Sequence, residues 1–373
     1  MAVSNNHITS VQAFGLIVSQ ILGTSFLVIP GTVVGLAGVD AWISSIIAIG
    51  YGLFSGWLIV LLFRLYPNAT LVQIPENILG RWLGKVVGFG YCIFFLISNS
   101  TVIRQGGALI TTVFLPETPL IVIIACYMAL VIYIAKMGME VVARTNLMLL
   151  TLLIVSIFII LIASLENMDI PLLPIAGEGL KPILTGSIAP GSWLSQVIMV
   201  GMVLPYLQHK EHALKIIATG VIFTGIMQTL ITVVTLAVLG LQTENFPFPV
   251  YDVAKLIDLD ILWRRLDVMI VVMWIAGVFI KMAFWFYITV VGLSQVFELH
   301  DYRPLVIPLA ILSGGMAMLS ATNAADLSEY LGSVWPLFSL MTFEMPLPLL
   351  LLIIAWIRNR SKKRIVGGDS SVV

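Results

Sequence analysis

The chain has 373 residues, of which 60% are hydrophobic and 10% charged, with no formal net charge and a mean hydropathy of +1.07. Soluble globular domains carry about 25% charged residues, so this composition excludes a water-soluble enzyme. A neutral balance also gives no electrostatic footprint for nucleic acid. The reading that remains is an all-α integral membrane protein.

In hydrocarbon every backbone polar group must be satisfied within the chain, and a spanning helix takes roughly 20 apolar residues. Ten transmembrane helices are predicted, at about 8–30, 41–63, 87–114, 118–135, 146–165, 189–207, 215–240, 268–297, 304–320 and 330–357. They make one transmembrane domain over 1–373, ending in a tail at 358–373.

Segment one follows "MAVSNNHITSVQ", which has no Lys or Arg before the apolar run, and is read as retained rather than as a cleaved signal peptide. It contains "ILGTSFLVIPG" at 21–31, where Gly23, Thr24, Ser25, Pro30 and Gly31 interrupt an otherwise apolar helix. After segment two, "IPENILGRWLGKVVG" at 74–88 starts with Pro75 and gathers Ile78, Leu79, Trp82 and Leu83 on one side, predicting a helix lying in the headgroup layer. Segment three carries a polar run, Ser98, Asn99, Ser100 and Thr101, then Arg104, Gly106 and Gly107. Cys92 and Cys126 fall inside spans and read as small apolar packers.

Segment six has Pro190 and Gly191 at its start and Gln196, Gly201 and Pro205 further on. "HKEH" at 209–212 places two histidines three apart, but no third metal ligand is near and no metal site is expected. In the loop at 241–267, residues Asp252 to Leu259 predict a short helix capped by Asp252. Segment eight holds Lys281, and Asn323 lies near the end of segment nine. Segment ten holds Glu344, and the basic "RNRSKKR" at 358–364 follows it, suited to an anionic lipid surface.

With both termini cytoplasmic, 13 of the 19 basic residues fall in inside loops and four (Lys181, Lys255, Arg264 and Arg265) outside, so the positive-inside rule sets the orientation. The interruptions in segments one and six occupy corresponding places in two five-helix halves, about 8–165 and 189–357. Paired interruption of this kind marks a transporter fold of inverted repeats with its site at the bilayer midplane. Helices one and six are expected to be broken there, with freed N–H groups facing an anionic ligand.

The expected pocket takes Gly23, Thr24 and Ser25 from segment one, Ser98 and Asn99 from three, Gln196, Val200 and Gly201 from six, and Phe284 from eight. Close packing of small residues is the competing account of the same glycines. Ionisable residues at membrane depth cost about 2.5–3.5 kcal/mol on insertion scales and point to function. Lys281 is expected to act as a fixed cation in the place of a coupling sodium or as a proton carrier, with Glu344 as partner. Arg104 is expected to pair with an outside carboxylate or to face a vestibule. No HExxH, GxSxG or phosphate-loop motif is present, so no catalytic residue and no cofactor is expected.

"LLPIAGEGLKPILTGS" at 172–187, "RRLDVMIVVMWIAGVFIKM" at 264–282, "LGRWLGK" at 79–85 and Arg104 in "VIRQGG" resemble the spore germination permease family, the B subunits of nutrient germinant receptors in endospore-forming bacteria. "ILGTSFLVIPG" is similar to the Gly-Ser-Gly turn of the wider amino acid, polyamine and organocation superfamily, where the turn holds a substrate carboxylate. The resemblance implies a LeuT-like 5+5 inverted repeat. It also implies a receptor in the inner spore membrane that binds an amino acid or sugar and works with an A subunit and a lipoprotein C subunit. Ser25 departs from the superfamily pattern, in which a second Gly is usual, and Gln196 stands where relatives often carry Glu. A proton-coupled amino-acid transporter is the alternative.

Overall fold

The computed structural model describes residues 7–169, 177, 179–256 and 266–368, with side chains described except at 266–273 and 359–368. Residues 172–176 and 178 of the 172–187 signature, Arg264, Arg265 and the end of the expected 252–259 helix lie outside the described residues. Each of the ten expected segments is helical. We label them α1 (Ser10–Ala37), α2 (Ala41–Leu65), α3 (Arg81–Val113), α4 (Leu120–Met137), α5 (Met139–Ala163), α6 (Ile188–Ser195, continued by a 3-10 stretch Gln196–Met202), α7 (Ala213–Leu239), α8 (Leu266–Val296), α9 (Val306–Leu319) and α10. The last is composite, running through Ala324–Glu329, a π segment Tyr330–Val334, Trp335–Phe338, a second π segment Ser339–Glu344 and Pro346–Gly368.

Eight helical runs among the described residues are long and apolar enough to cross a membrane, because α1 and α2 form one run, Ser10–Leu65, and α9 falls short. At 14 residues, α9 spans about 21 Å against a hydrocarbon core of about 30 Å.

Two sequence expectations are corrected. First, α1 is α-helical without interruption from Ser10 to Ala37, with Pro30 inside it. Its small residues serve packing: a Cβ built on Gly23 would lie 2.9 Å from the Gly277 carbonyl oxygen and 3.4 Å from Lys281 Cβ, so the missing side chain lets α8 approach the α1 backbone. Segment six does depart from α-helix, passing into 3-10 turns at Gln196. Second, residues 74–88 are not one surface helix. The chain turns at Gly80 (φ 90°, ψ 173°), a backbone conformation that glycine adopts without strain, and separates a short helix, Ile74–Leu79, from α3. Trp82 is exposed at the start of α3, as interfacial tryptophans commonly are. The short helix after α7 runs Pro249–Leu256, starting before Asp252.

The packing follows the exchange of helix n for helix n+5. Helix α1 packs on α7 as α2 packs on α6, α3 lies on α8, α2 on α7, and α9 on α3 as α4 on α8. These are the pairings that a two-fold axis in the membrane plane generates.

The face that carries the N-terminal segment is tied together by loops. The Ile8 amide donates to Tyr206 O (2.9 Å) and Gln208 N donates to Ile8 O (3.1 Å). Leu71 N donates to Gly201 O (3.0 Å), Thr70 Oγ1 to Gln295 Oε1 (2.6 Å) and Lys210 Nζ to Pro67 O (3.0 Å). Glu298, beyond α8, accepts from Lys85 (2.5 Å) and Arg81 (3.2 Å) at the start of α3. The hydrogen bond from Lys85 and the two nearby cationic charges hold its carboxyl below the usual carboxylate range.

Gly23→Ala is expected to cost about 1–3 kcal/mol by forcing α1 off α8, whereas Gly50→Ala, with nothing within 4 Å of the added carbon, serves as a neutral control in thermal unfolding. Because the Glu298 carboxyl is depressed in the folded chain, its tie is present above the ordinary carboxylate pKa and lost as pH falls through the folded value. A Glu298→Gln variant should therefore unfold earlier than wild type at neutral pH and match it in strong acid, as read by melting temperature against pH.

Candidate ligand site

At the centre of the bundle Lys281 of α8 is 1% exposed, and an amine buried in hydrocarbon has to find hydrogen-bond partners within the protein. Its Nζ donates to Thr24 Oγ1 of α1 (2.9 Å) and to Gln196 Oε1 of α6 (3.0 Å). Thr24 Oγ1 accepts a second bond from Trp193 Nε1 (3.1 Å). One cation thus joins α1, α6 and α8 at the point where α6 changes from α to 3-10 geometry.

These groups line a cavity of about 10 Å³, together with Ser98, Thr101 and Gln105 of α3, Trp285 of α8, and Leu331 and Trp335 of α10. That is room for about one water molecule, so the site is occluded. The hydroxyl hydrogens of Ser98 and Thr101 are donated to Phe94 O (2.6 Å) and Ile97 O (2.9 Å) of their own helix. Trp335 stacks on Phe94 (5.8 Å, 3° between planes), and Phe94 meets Trp285 edge-on (6.0 Å, 74°).

Of the residues expected from sequence, Thr24, Ser98, Gln196 and Lys281 meet here. Gly23 lies against Gly277, and Ser25 is buried with its Oγ unpartnered. Asn99 is buried with neither amide atom partnered. Val200 and Phe284 are buried in the core, and Gly201 sits under Ile59 and Leu71, tied to the loop after α2. Gln105, Trp193 and Trp335 were not anticipated. Trp193 stands three residues before Gln196, as Trp335 stands four after Leu331, and that i, i+3 and i, i+4 spacing was the available signal.

Glu344 makes no ion pair with Lys281, contrary to the expected partnership. It is 0% exposed and, among the described residues, neither carboxylate oxygen has a hydrogen-bond partner, although it lies near enough to feel the lysine charge. Depth in the membrane suggests the pairing, but the facing of Glu344 is set by two π segments, each of which shifts the register of the residues beyond it. Arg104 likewise makes no ion pair among the described residues. Its Nε (3.3 Å) and Nη2 (3.1 Å) grip the Ala321 carbonyl, which fastens α3 to the link between α9 and α10, with Asp326 contributing attraction at longer range. His209 pairs with Glu211 at 3.2 Å.

On the face away from the N-terminal segment, a groove of about 420 Å³ is lined by Thr32 and Gly35 of α1, Glu244, Phe246, and Glu329 and Gly332 of α10. Leu331 and Trp335 line the inner cavity and Glu329, Gly332 and Ser333 the groove. The first part of α10 is therefore a wall between the two.

A continuous inverted-repeat bundle with an occluded polar centre defines a transporter-like multi-pass membrane protein, and solved structures agree. The nucleobase-cation symporter Mhp1 in a closed conformation superposes with a TM-score of 0.60 at 12% identity, covering 93% of this chain and 78% of that one. A sodium-coupled sialic acid symporter gives 0.63 at 12% identity, covering 91% and 80%. The family is narrower than the fold: residues 7–325 match the Spore germination protein model, Spore_permease, and the chain belongs to that family. Its relatives include spore germination protein KB of Bacillus subtilis, 29% identical over 94% of this chain and 95% of the relative. YndE of the same organism is 26% identical over 95% and 98%, and spore germination protein A2 is 24% identical over 89% and 92%.

Arg104→Ala removes both donors to the partly buried Ala321 carbonyl, a loss of about 1–3 kcal/mol. Hydrogen–deuterium exchange at 320–335 should rise above wild type while exchange at the N-terminal face stays unchanged; equal protection in both would remove Arg104's fastening role.

Proposed function

We propose that the chain is the nutrient-sensing B subunit of a spore germinant receptor in the inner spore membrane, with its termini cytoplasmic, binding a small nutrient in the cavity at Lys281. One observation carries the reading: a single buried ammonium bridges α1, α6 and α8, and its cavity is roofed by Leu331 and Trp335 of a composite helix. A nutrient entering there competes for the Lys281 hydrogen bonds and pushes on α10, so it binds the open and closed arrangements with different affinity. Only such a difference shifts the equilibrium between them. The change would pass to an A subunit and a lipoprotein C subunit. The two halves, about 8–165 and 189–357, would act as repeats of one domain, with the basic tail at 358–373 on anionic lipid.

A second reading rests on Glu344. A buried carboxyl without a partner, close to a buried lysine, suits proton-coupled transport of an amino acid. Purified chain in proteoliposomes, offered labelled amino acids and glucose with and without a pH gradient, separates the two. Saturable binding without accumulation supports the receptor, and gradient-driven uptake abolished by Glu344→Gln supports the transporter.

A further inference from the structure

The groove beside Thr32 and Gly332 carries two carboxylates, Glu244 and Glu329. A second groove, of about 290 Å³, has the opposite character. It lies between the starts of α1 and α7, on the face that carries the N-terminal segment, and among the described residues no carboxylate lines it. Its rim is polar, with Ser10 of α1 and His212 and Lys215 at the start of α7. Its floor is apolar, made by Val11 and Phe14 of α1 and Ile216 of α7, and Phe14 packs on Phe223 across the two helices (5.8 Å).

The cation on this rim is uncommitted. Lys215 is exposed, and among the described residues its carbonyl accepts from Thr219 Oγ1 (2.8 Å) while its ammonium pairs with nothing. Glu211, one residue before His212, is engaged by His209 at 3.2 Å. Beyond Lys215 the exposed face of α7 continues through Thr219, Ile222, Ile226 and Leu230, at the three- and four-residue spacing of a single helix face. A basic, hydrogen-bonding rim at the end of a membrane helix thus opens onto an apolar wall running away from it.

We propose that this groove holds the head group of an anionic phospholipid, its phosphate received by Lys215, His212 and Ser10 and one acyl chain lying along Ile222, Ile226 and Leu230. Basic pockets between transmembrane helices take lipid head groups in this way. The ammonium makes charge-assisted bonds to phosphate, and a histidine ring offers an N–H in either tautomer. A soluble phosphate would use the rim alone and leave Val11, 65% exposed, uncovered. A zwitterionic lipid brings its own cation to the phosphate that Lys215 would engage. An anionic lipid satisfies rim, floor and wall together.

The position gives the lipid a structural consequence. Ile8 and Gln208, a few residues before α1 and α7, are already hydrogen-bonded (3.1 Å), and Ile8 N donates to Tyr206 O (2.9 Å). A head group shared by the first turns of the two helices fastens the same seam from the membrane side.

The test uses the full-length chain, stripped of lipid in detergent and examined by native mass spectrometry with phosphatidylglycerol, with phosphatidylcholine of the same acyl chains, and with glycerol 3-phosphate as competitor. Phosphatidylglycerol should be retained about tenfold more tightly, the scale of one charge-assisted bond, and Lys215→Gln should bring it to the phosphatidylcholine level. Lys136→Gln removes the same charge from an exposed position at the end of α4, outside the groove, and should change nothing. Equal retention of the two lipids, or equal loss in the two variants, overturns the proposal in favour of diffuse attraction. Displacement of phosphatidylglycerol by glycerol 3-phosphate overturns it in favour of a soluble anion. In nanodiscs, hydrogen exchange at 7–9 and 206–208 should be slower with phosphatidylglycerol than with phosphatidylcholine, and Lys215→Gln should abolish the difference. Equal exchange in both lipids overturns the fastening of the seam.

Discussion

A lysine ammonium at the centre of a hydrocarbon-embedded bundle has to be given oxygen partners by the protein itself, and much of the interior organisation answers that demand. Thr24 and Gln196 reach it from helices five apart in the repeat, so satisfying one charge fixes the mutual position of α1, α6 and α8. Gly23 is part of the same solution, because α8 can bring Lys281 to Thr24 only if nothing projects from α1 one residue earlier. The indole of Trp193 then holds the threonine hydroxyl from the other side. Removing the lysine amine would leave Gln196 Oε1 without this donor and Thr24 Oγ1 with Trp193 alone, and unpaired polar groups are expensive in a low-dielectric interior.

The irregular backbone is distributed in keeping with that centre. Non-helical or distorted backbone at membrane depth is tolerated where protein surrounds it, and the 3-10 stretch of α6 is buried throughout. The π segments of α10 put Leu331 and Trp335 over the cavity and Glu344 against the interior. On one face the bundle is closed by hydrogen bonds between loops, and on the other Arg104 holds the base of α10 through the Ala321 carbonyl. The result is a small occluded chamber with a single composite helix between it and the outer groove. The transporter-type fold thus encloses a polar centre behind a single helical wall.

Much of the plan was legible in the chain. Apolar length gave the helical segments, and the loop signatures gave the family. The cost of charge in hydrocarbon marked Lys281, Glu344 and Arg104 before any coordinates. Less legible was what small residues are for. Gly23, Thr24 and Ser25 read as a helix break and form a packing seam, because both need small side chains, and only the position of Gly277 decides for packing. Helix six carried the same ambiguity and resolved the other way. Glu344 pairs with Lys281 in the sequence because both are ionisable at membrane depth, and depth along a helix does not say which way a side chain faces, least of all in a helix with π turns.

By itself the sequence determined the membrane class, the helical segments, the family and the ionisable residues that matter, because these follow from hydropathy, backbone hydrogen bonding and the local chemistry of each side chain. Tertiary structure alone decided which of those residues meet. It gave Lys281 two neutral oxygens in place of a carboxylate, and gave Arg104 a carbonyl. It also brought Gln105, Trp285 and Trp335, from three different helices, around one chamber. The physical reason is that a hydrogen bond depends on atoms a few ångströms apart in space, and residues hundreds of positions apart along the chain are brought to that distance by the packing of whole helices.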